Sequence, residues 1–402
     1  MKSYLIVLSA AVLVGCGEHT NPIEPDLNRA QSEAVASDTD LIATPGGWYH
    51  ADCVNLVPNG ARVEKNGRVH RLDGTSYQLP SCMHPGRVEG PRALGEAGAL
   101  APLDTGWLEW AKYDAGHAWT EIDASWHVPP VPAATYTSSQ VYYTFPGIEA
   151  AFISQPVLSY GFVPATTGSP AYGGNFWSLA SWHCSFPGSC AHGPPITVAT
   201  GDSLLGRVYE TNCLNGKCIW TIVGTDVTKG TNSTFAIQDT FDLNVAVGGA
   251  LEVYNLTACN QFPSHGAFFT GVALYDQNHH LTSPVWGDTV RAVDNPNCGF
   301  AVSSTASTVN IFQNFSVSLT GPSNITSPGT YTWTSTPTGG NGPYAYQWHV
   351  HYATGTDRDL GTAQSQSLLV SSTDDDFVIS VKVMSSGATT SASKPVCVFG
   401  CG

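Results

Sequence analysis

The sequence predicts an all-β protein built mainly on a two-sheet antiparallel sandwich. Three observations carry this. Short runs of β-branched and aromatic residues recur between Gly and Pro along 402 residues, with almost no helical periodicity. The chain holds 41 Gly, 26 Pro, 16 Tyr and 11 Trp but only 12% charged residues, which suits many strands and tight turns. Ten cysteines remain once Cys16 is set aside, an even number that fits disulfides in an oxidising compartment.

The N-terminus reads as a processing signal. Lys2 supplies the positive start, Tyr4 to Val14 an apolar run too short to span a bilayer, and Leu13-Val14-Gly15-Cys16 the cleavage box. Residues 1–16 resemble a bacterial lipoprotein signal, which makes Cys16 the lipidated residue and implies stable anchoring by more than one acyl chain. An ordinary secretory signal is the alternative. The expected location is therefore the cell envelope, as a lipoprotein of the outer membrane or cell surface, or the medium. Residues 17–45 are polar, rich in Pro, Ser, Asp and Asn, and read as a flexible linker.

Residues 46–104 carry Arg62, Lys65, Arg68, Arg71, Arg87 and Arg92, six of the 16 basic residues, and include a hairpin signal at Asn66-Gly67. Such a section before an acidic body is either an inhibitory pro-segment or an accessory module with a charged, solvated face. The net charge of −15 argues against a nucleic-acid partner. Neighbour pairing suggests disulfides Cys53–Cys82, Cys184–Cys190, Cys213–Cys218, Cys259–Cys298 and Cys397–Cys401.

Residues 105–305 alternate most clearly, as in Gln140 to Phe145, Phe176 to Trp182 and Ile219 to Gly224, with turn signals between. Two strands here place a polar group inside an apolar run: Gln155 in Ile153 to Gly161, and Glu252 in Gly249 to Tyr254. A strand that buries one face seldom turns a Gln or Glu inward unpaired, because that costs several kcal/mol. Solvent-facing positions are the bland reading. From 310 to 398, Ser, Thr, Gly and Pro dominate, and Trp333, Trp348 and Asp374-Asp375-Asp376 before Phe377 to Val383 resemble an immunoglobulin-like sandwich.

The middle section resembles the glutamic peptidases of the eqolisin family, from Ala124 to Ala273. The matching elements, in order, are Ala124 to Pro129, Thr144 to Glu149, Ile153 to Gln155, the Trp-rich run Trp177 to Trp182, the Gly201-Asp202 turn with the hairpin Trp220 to Phe235, and Leu251 to Val253. The resemblance implies a concanavalin-like sandwich and an endopeptidase acting on polypeptides without a cofactor or metal. In it, Glu252 activates water and returns the proton to the leaving amine, while the Gln155 amide stabilises the oxyanion. Glu149, Trp177 and Trp182 take substrate-binding roles. Trp177 and Trp182, five apart, point to opposite faces of a regular strand, so only one lines a cleft. Departures are Pro156 directly after the Gln, Glu149 for the family's Asp, Ser181 before the second cleft aromatic, and two small Cys-bridged insertions.

Two other readings stay open. Glu149 and Glu252 suit the acid/base pair of a glycoside hydrolase, and an aromatic cleft without chemistry suits a glycan-binding adhesin. His349 and His351 share one strand face but lack a third metal ligand nearby, and His279-His280 is a weaker signal still.

Overall fold

A computed structural model describes residues 41–84, 86, 106–185, 188–214, 217–239, 243–291 and 298–400. Cys16, most of the expected linker, residues 87–105 and Cys401 lie outside the described residues.

The alternating segments form two large sheets. The first has the order β20 (Gly287–Val290), β7 (Gly106–Asp114), β17 (Val245–Tyr254), β9 (Val141–Glu149), β10 (Phe152–Val163), β11 (Tyr172–Ser185), β12 (Cys190–His192), β3 (Val54–Leu56), with β13 (Ile196–Val198) also on β11. The second runs β21 (Ala301–Thr305), β22 (Thr308–Phe312), β18 (Ala267–Asp276), β8 (Trp119–His127), β14 (Ser203–Leu214), β15 (Lys217–Asp226), β16 (Thr231–Asp239), β4 (Arg62–Glu64), β5 (Arg68–His70), β6 (Ser76–Gln78), with β19 (Leu281–Thr282) on β18. Their inner faces enclose one core that includes Trp119, Trp126, Tyr142, Leu158, Trp177 and Trp220.

The basic section is divided in this fold. β3 joins the first sheet parallel to β12, and β4 joins the second parallel to β16. The Cys53–Cys82 disulfide ties the base of β3 to the chain beyond β6. The linker expected through residue 45 ends sooner. β1 (Leu41–Thr44) and β2 (Gly47–His50) form a hairpin that pairs only with itself, and Ile42, Ala43, Thr44, Trp48 and Tyr49 are buried. An apolar triplet, a Pro-Gly-Gly turn and two aromatics are enough to build it.

The disulfides Cys184–Cys190, Cys213–Cys218 and Cys259–Cys298 are present as expected, and Cys397 is disulfide-bonded too. Among the described residues, the one side-chain cluster close enough to hold an ion is Glu210 with Cys213 and Cys218, whose sulfurs are already joined.

The C-terminal section is a second sandwich. A three-stranded sheet of β23 (Ser316–Thr320), β25 (Gly329–Thr338) and β28 (Ser365–Val370) packs against a five-stranded one. That one has the order β24 (Asn324–Ile325), β30 (Ala388–Val398), β29 (Phe377–Ser385), β26 (Tyr344–Tyr352), β27 (Asp357–Gly361). Trp333 and Trp348 are fully buried between the layers, and their indole N–H groups donate to Pro322 O (3.0 Å) and Ala363 O (2.8 Å). Trp348→Ala is therefore expected to destabilise this sandwich by about 3–5 kcal/mol, the usual cost of emptying an aromatic site. Urea unfolding followed by Trp fluorescence checks it, and a change below about 1 kcal/mol would mean that the layers close over the gap.

Candidate active site

The outer face of the first sheet carries a second apolar cluster, distinct from the inter-sheet core. Tyr143 and Phe145 of β9, Ile153 and Val157 of β10, Trp182 of β11, and Ala250 and Tyr254 of β17 all contribute to it. Strand alternation then places Gln155, between Ile153 and Val157, and Glu252, between Ala250 and Tyr254, on this same face. Both are fully buried.

Each position has a local cause. On β17 the pairing slips between Val247 and Ala250, and this one-residue bulge reverses the alternation. Val247 and Glu252 therefore both face outward, although they are five residues apart. Gly248 and Gly249 make the bulge, pressed so closely on the second sheet that a Cβ on Gly249 would lie 2.5 Å from the Phe269 ring. On β10, Pro156 has no N–H to give, and registered pairing with β9 lapses between Ser154 and Leu158. Its ring points inward, toward Gly206 of the second sheet, where a Cβ would approach to 2.5 Å. Gly147 leaves room beside Gln155: a Cβ there would sit 3.1 Å from the Gln155 Cβ.

The register sets Gln155 and Glu252 in different rows of the sheet. Glu252 pairs with Tyr143, and Tyr143 pairs with Ser159, so Ser159 stands in the row of Glu252. Gln155 lies four residues back on β10, opposite Trp182. The two are thus about 13 Å apart along the strands and about 10 Å apart across them. Side chains stand roughly perpendicular to a sheet and do not close that gap.

What the structure places beside Glu252 is a pair of phenols. Tyr254 donates its hydroxyl to Glu252 Oε1. Tyr143 donates its own to the Ala43 carbonyl at 3.0 Å. Burial, with Tyr172 and Glu252 nearby, holds the Tyr143 hydroxyl well above its ordinary pKa, so it stays a neutral donor. The Gln155 amide nitrogen donates to the Pro45 carbonyl, while its buried Oε1 has no hydrogen-bond partner among the described residues. Tyr143 and Tyr254 escaped the sequence reading. The available signal was spacing: Tyr254 is two residues past Glu252 and so shares its face.

The remaining candidates separate. Trp182 lies on the outer face, stacked on His192 at 4.6 Å. Trp177 lies in the inter-sheet core against Tyr142 and Tyr160 and lines no part of this face. Glu149 binds Lys112 Nζ at 2.5 Å and, with Trp107 and Trp110, lines a cavity of about 240 Å³ at the end of the cleft. It is six residues along β9 from Tyr143, so roughly 20 Å from Glu252. A glycosidase pair needs about 5–9.5 Å, which removes that pairing. His349 and His351 are exposed on β26, bonded to Asp357 and Asp359.

No family model and no curated protein matches this sequence. Among solved structures, scytalido-glutamic peptidase with a peptide-based transition-state analogue is similar at 16% identity and a TM-score of 0.38, covering 52% of this chain and 98% of its own. SCP-B, a member of the eqolisin family of peptidases in complex with the tripeptide Ala-Ile-His, is similar at 15% identity and a TM-score of 0.36, over the same shares.

Proposed function

We propose that the protein is a peptide-bond hydrolase whose water-activating group is Glu252, anchored in the cell envelope through lipid on Cys16. The observation that supports this most directly is the occupant of the cleft. A stretch of polypeptide lies on the catalytic face with one backbone carbonyl on Tyr143, in the row of Glu252, and another on Gln155 further along. A surface whose side-chain donors take two backbone carbonyls of one segment is suited to holding polypeptide.

In this reading the Glu252 carboxylate takes a proton from water as the hydroxide adds to the scissile carbonyl carbon. The Tyr143 hydroxyl donates to the oxygen as negative charge grows on it. The C–N bond then breaks, and Glu252 passes the proton to the departing amine. Gln155 holds a different carbonyl and positions the substrate.

The division of roles predicts different kinetic signatures. Tyr143→Phe lowers kcat by about ten- to a hundredfold with KM little changed, as loss of a transition-state donor does. Gln155→Ala raises KM and leaves kcat nearly intact. Digestion of a denatured protein or a quenched peptide measures both. A collapse of kcat in Gln155→Ala, beside a silent Tyr143→Phe, would return the oxyanion role to the amide.

A further inference from the structure

We infer that the 41–50 hairpin is a built-in inhibitor seated in the peptide cleft, so that the chain as folded is latent; the inference rests on the peptidase reading above. Four residues of the hairpin cover the outer face at this point. Ile42, Ala43, Trp48 and Tyr49 close over the apolar cluster, and the Trp48 ring meets Tyr254, the partner of Glu252, edge-on at 5.0 Å. The backbone uses the two donors a substrate would need: Ala43 O takes the Tyr143 hydroxyl and Pro45 O takes the Gln155 amide. With the hairpin in place Glu252 and Gln155 have no exposed surface, and no second polypeptide can reach them.

The hairpin is also built to leave. It adds to neither large sheet, pairing only with itself, and a two-stranded hairpin alone is marginal in water. Its hold is side-chain packing plus a few polar contacts, such as Tyr49 OH to Ser185 O at 2.8 Å. Three residues later the chain becomes fixed. Cys53 is bridged to Cys82, and β3 is laddered to β12. Residues 51–53 are therefore the hinge, and the rest of the basic section stays with the sandwich when the hairpin swings out.

Occupancy does not make the hairpin a good substrate. The chain doubles back at Thr44 to Gly47, held by Gly46 N–H to Thr44 O at 2.8 Å and Thr44 Oγ1 to Gly47 O at 2.8 Å. The carbonyl on Tyr143 belongs to Ala43, whose peptide bond leads directly into this turn at Thr44, and that anchorage resists its distortion toward a tetrahedral centre. The face it covers is apolar and aromatic, so the substrates that replace it are extended peptides with aromatic or large aliphatic side chains.

The test uses the full chain and two readouts. Trp48→Ala removes the packing on Tyr254, and Tyr49→Phe removes the Ser185 contact at constant volume, so that one variant remains if the other fails to fold. The probe is a fluorescein-labelled decapeptide with the sequence Leu41 to His50, read by anisotropy, beside hydrolysis of a quenched peptide. The variants are expected to bind the probe at least tenfold more tightly than the wild type and to hydrolyse at least tenfold faster. Equal binding by wild type and variants, or binding by none, overturns the inhibitor. Binding gained without any hydrolysis keeps the covered cleft and removes the peptidase.

Discussion

Glu252→Gln is expected to lower kcat by at least a thousandfold, both in the wild type and in a hairpin-weakened Trp48→Ala background. The substitution keeps the size of the side chain and an oxygen to accept the Tyr254 hydroxyl, so the packing around Ala250 and Tyr254 survives. What it loses is the capacity to bind and release a proton. A positioned general base and acid is worth about 10²–10⁴ in rate, and here one group serves both steps. The melting temperature should move little, because a neutral amide is no harder to bury than a carboxylate on this apolar face. Running both backgrounds matters. If Trp48→Ala is active and its Glu252→Gln derivative is not, the chemistry belongs to this carboxylate. Activity retained within tenfold would assign the hydrolysis to another group and end the mechanism.

The sandwich was legible because alternation is a local signal. Val141 to Phe145 and Ala250 to Tyr254 each show which residues share a face, and although both faces are buried, the two apolar clusters divide by that alternation. Which face, and at what height, was not legible. Counting by twos from Val247 would turn Glu252 toward the inter-sheet core, and only the bulge at Gly248-Gly249 turns it out. The offset between Gln155 and Glu252 depends on how β9 pairs with β10 on one side and β17 on the other. Those are long-range registers that no single segment encodes. The hairpin was hidden by averaging: five apolar and turn residues at 41–45 follow a polar tract, and the whole stretch read as a linker. Trp177 and Trp182 show the reverse case, where the five-residue spacing alone sent one ring to the core and the other to the cleft.

Stability is expected to fall steeply as pH drops below about 6.5, through two buried histidines of the first sheet. Burial lowers His183 to about 3 and His192 to about 4. The unfolded chain binds these protons near pH 6.5, while the folded chain refuses them until the lower values are reached. Each histidine therefore adds nothing unfavourable above 6.5 and costs more with every unit below it, about 1.4 kcal/mol per unit. By pH 4 that is about 3 kcal/mol apiece. Glu109 works in the opposite sense. Full burial raises its carboxyl well above the ordinary range, despite the amide of Gln313 at 3.1 Å and the backbone N–H of Ala301. Stability from that group is complete below about pH 4.3 and is lost as pH rises toward its folded value. Two histidines outweigh one carboxyl, so the net effect of the three is stability that rises with pH up to about 6.5. In urea unfolding between pH 4 and 8, His183→Gln, which can still meet the Ser154 and Ser185 hydroxyls, should shrink the acid loss by about 3 kcal/mol. Glu109→Gln removes the opposing slope that begins at about pH 4.3, so the rise in stability from about pH 4 to 6.5 should steepen. An acid limb unchanged in His183→Gln would mean that the imidazole is protonated in the fold. The two histidines differ in place: His192, stacked on Trp182 opposite Gln155, borders the outer face, whereas His183, bonded to Ser154 and in ring contact with Phe152, turns to the inter-sheet side.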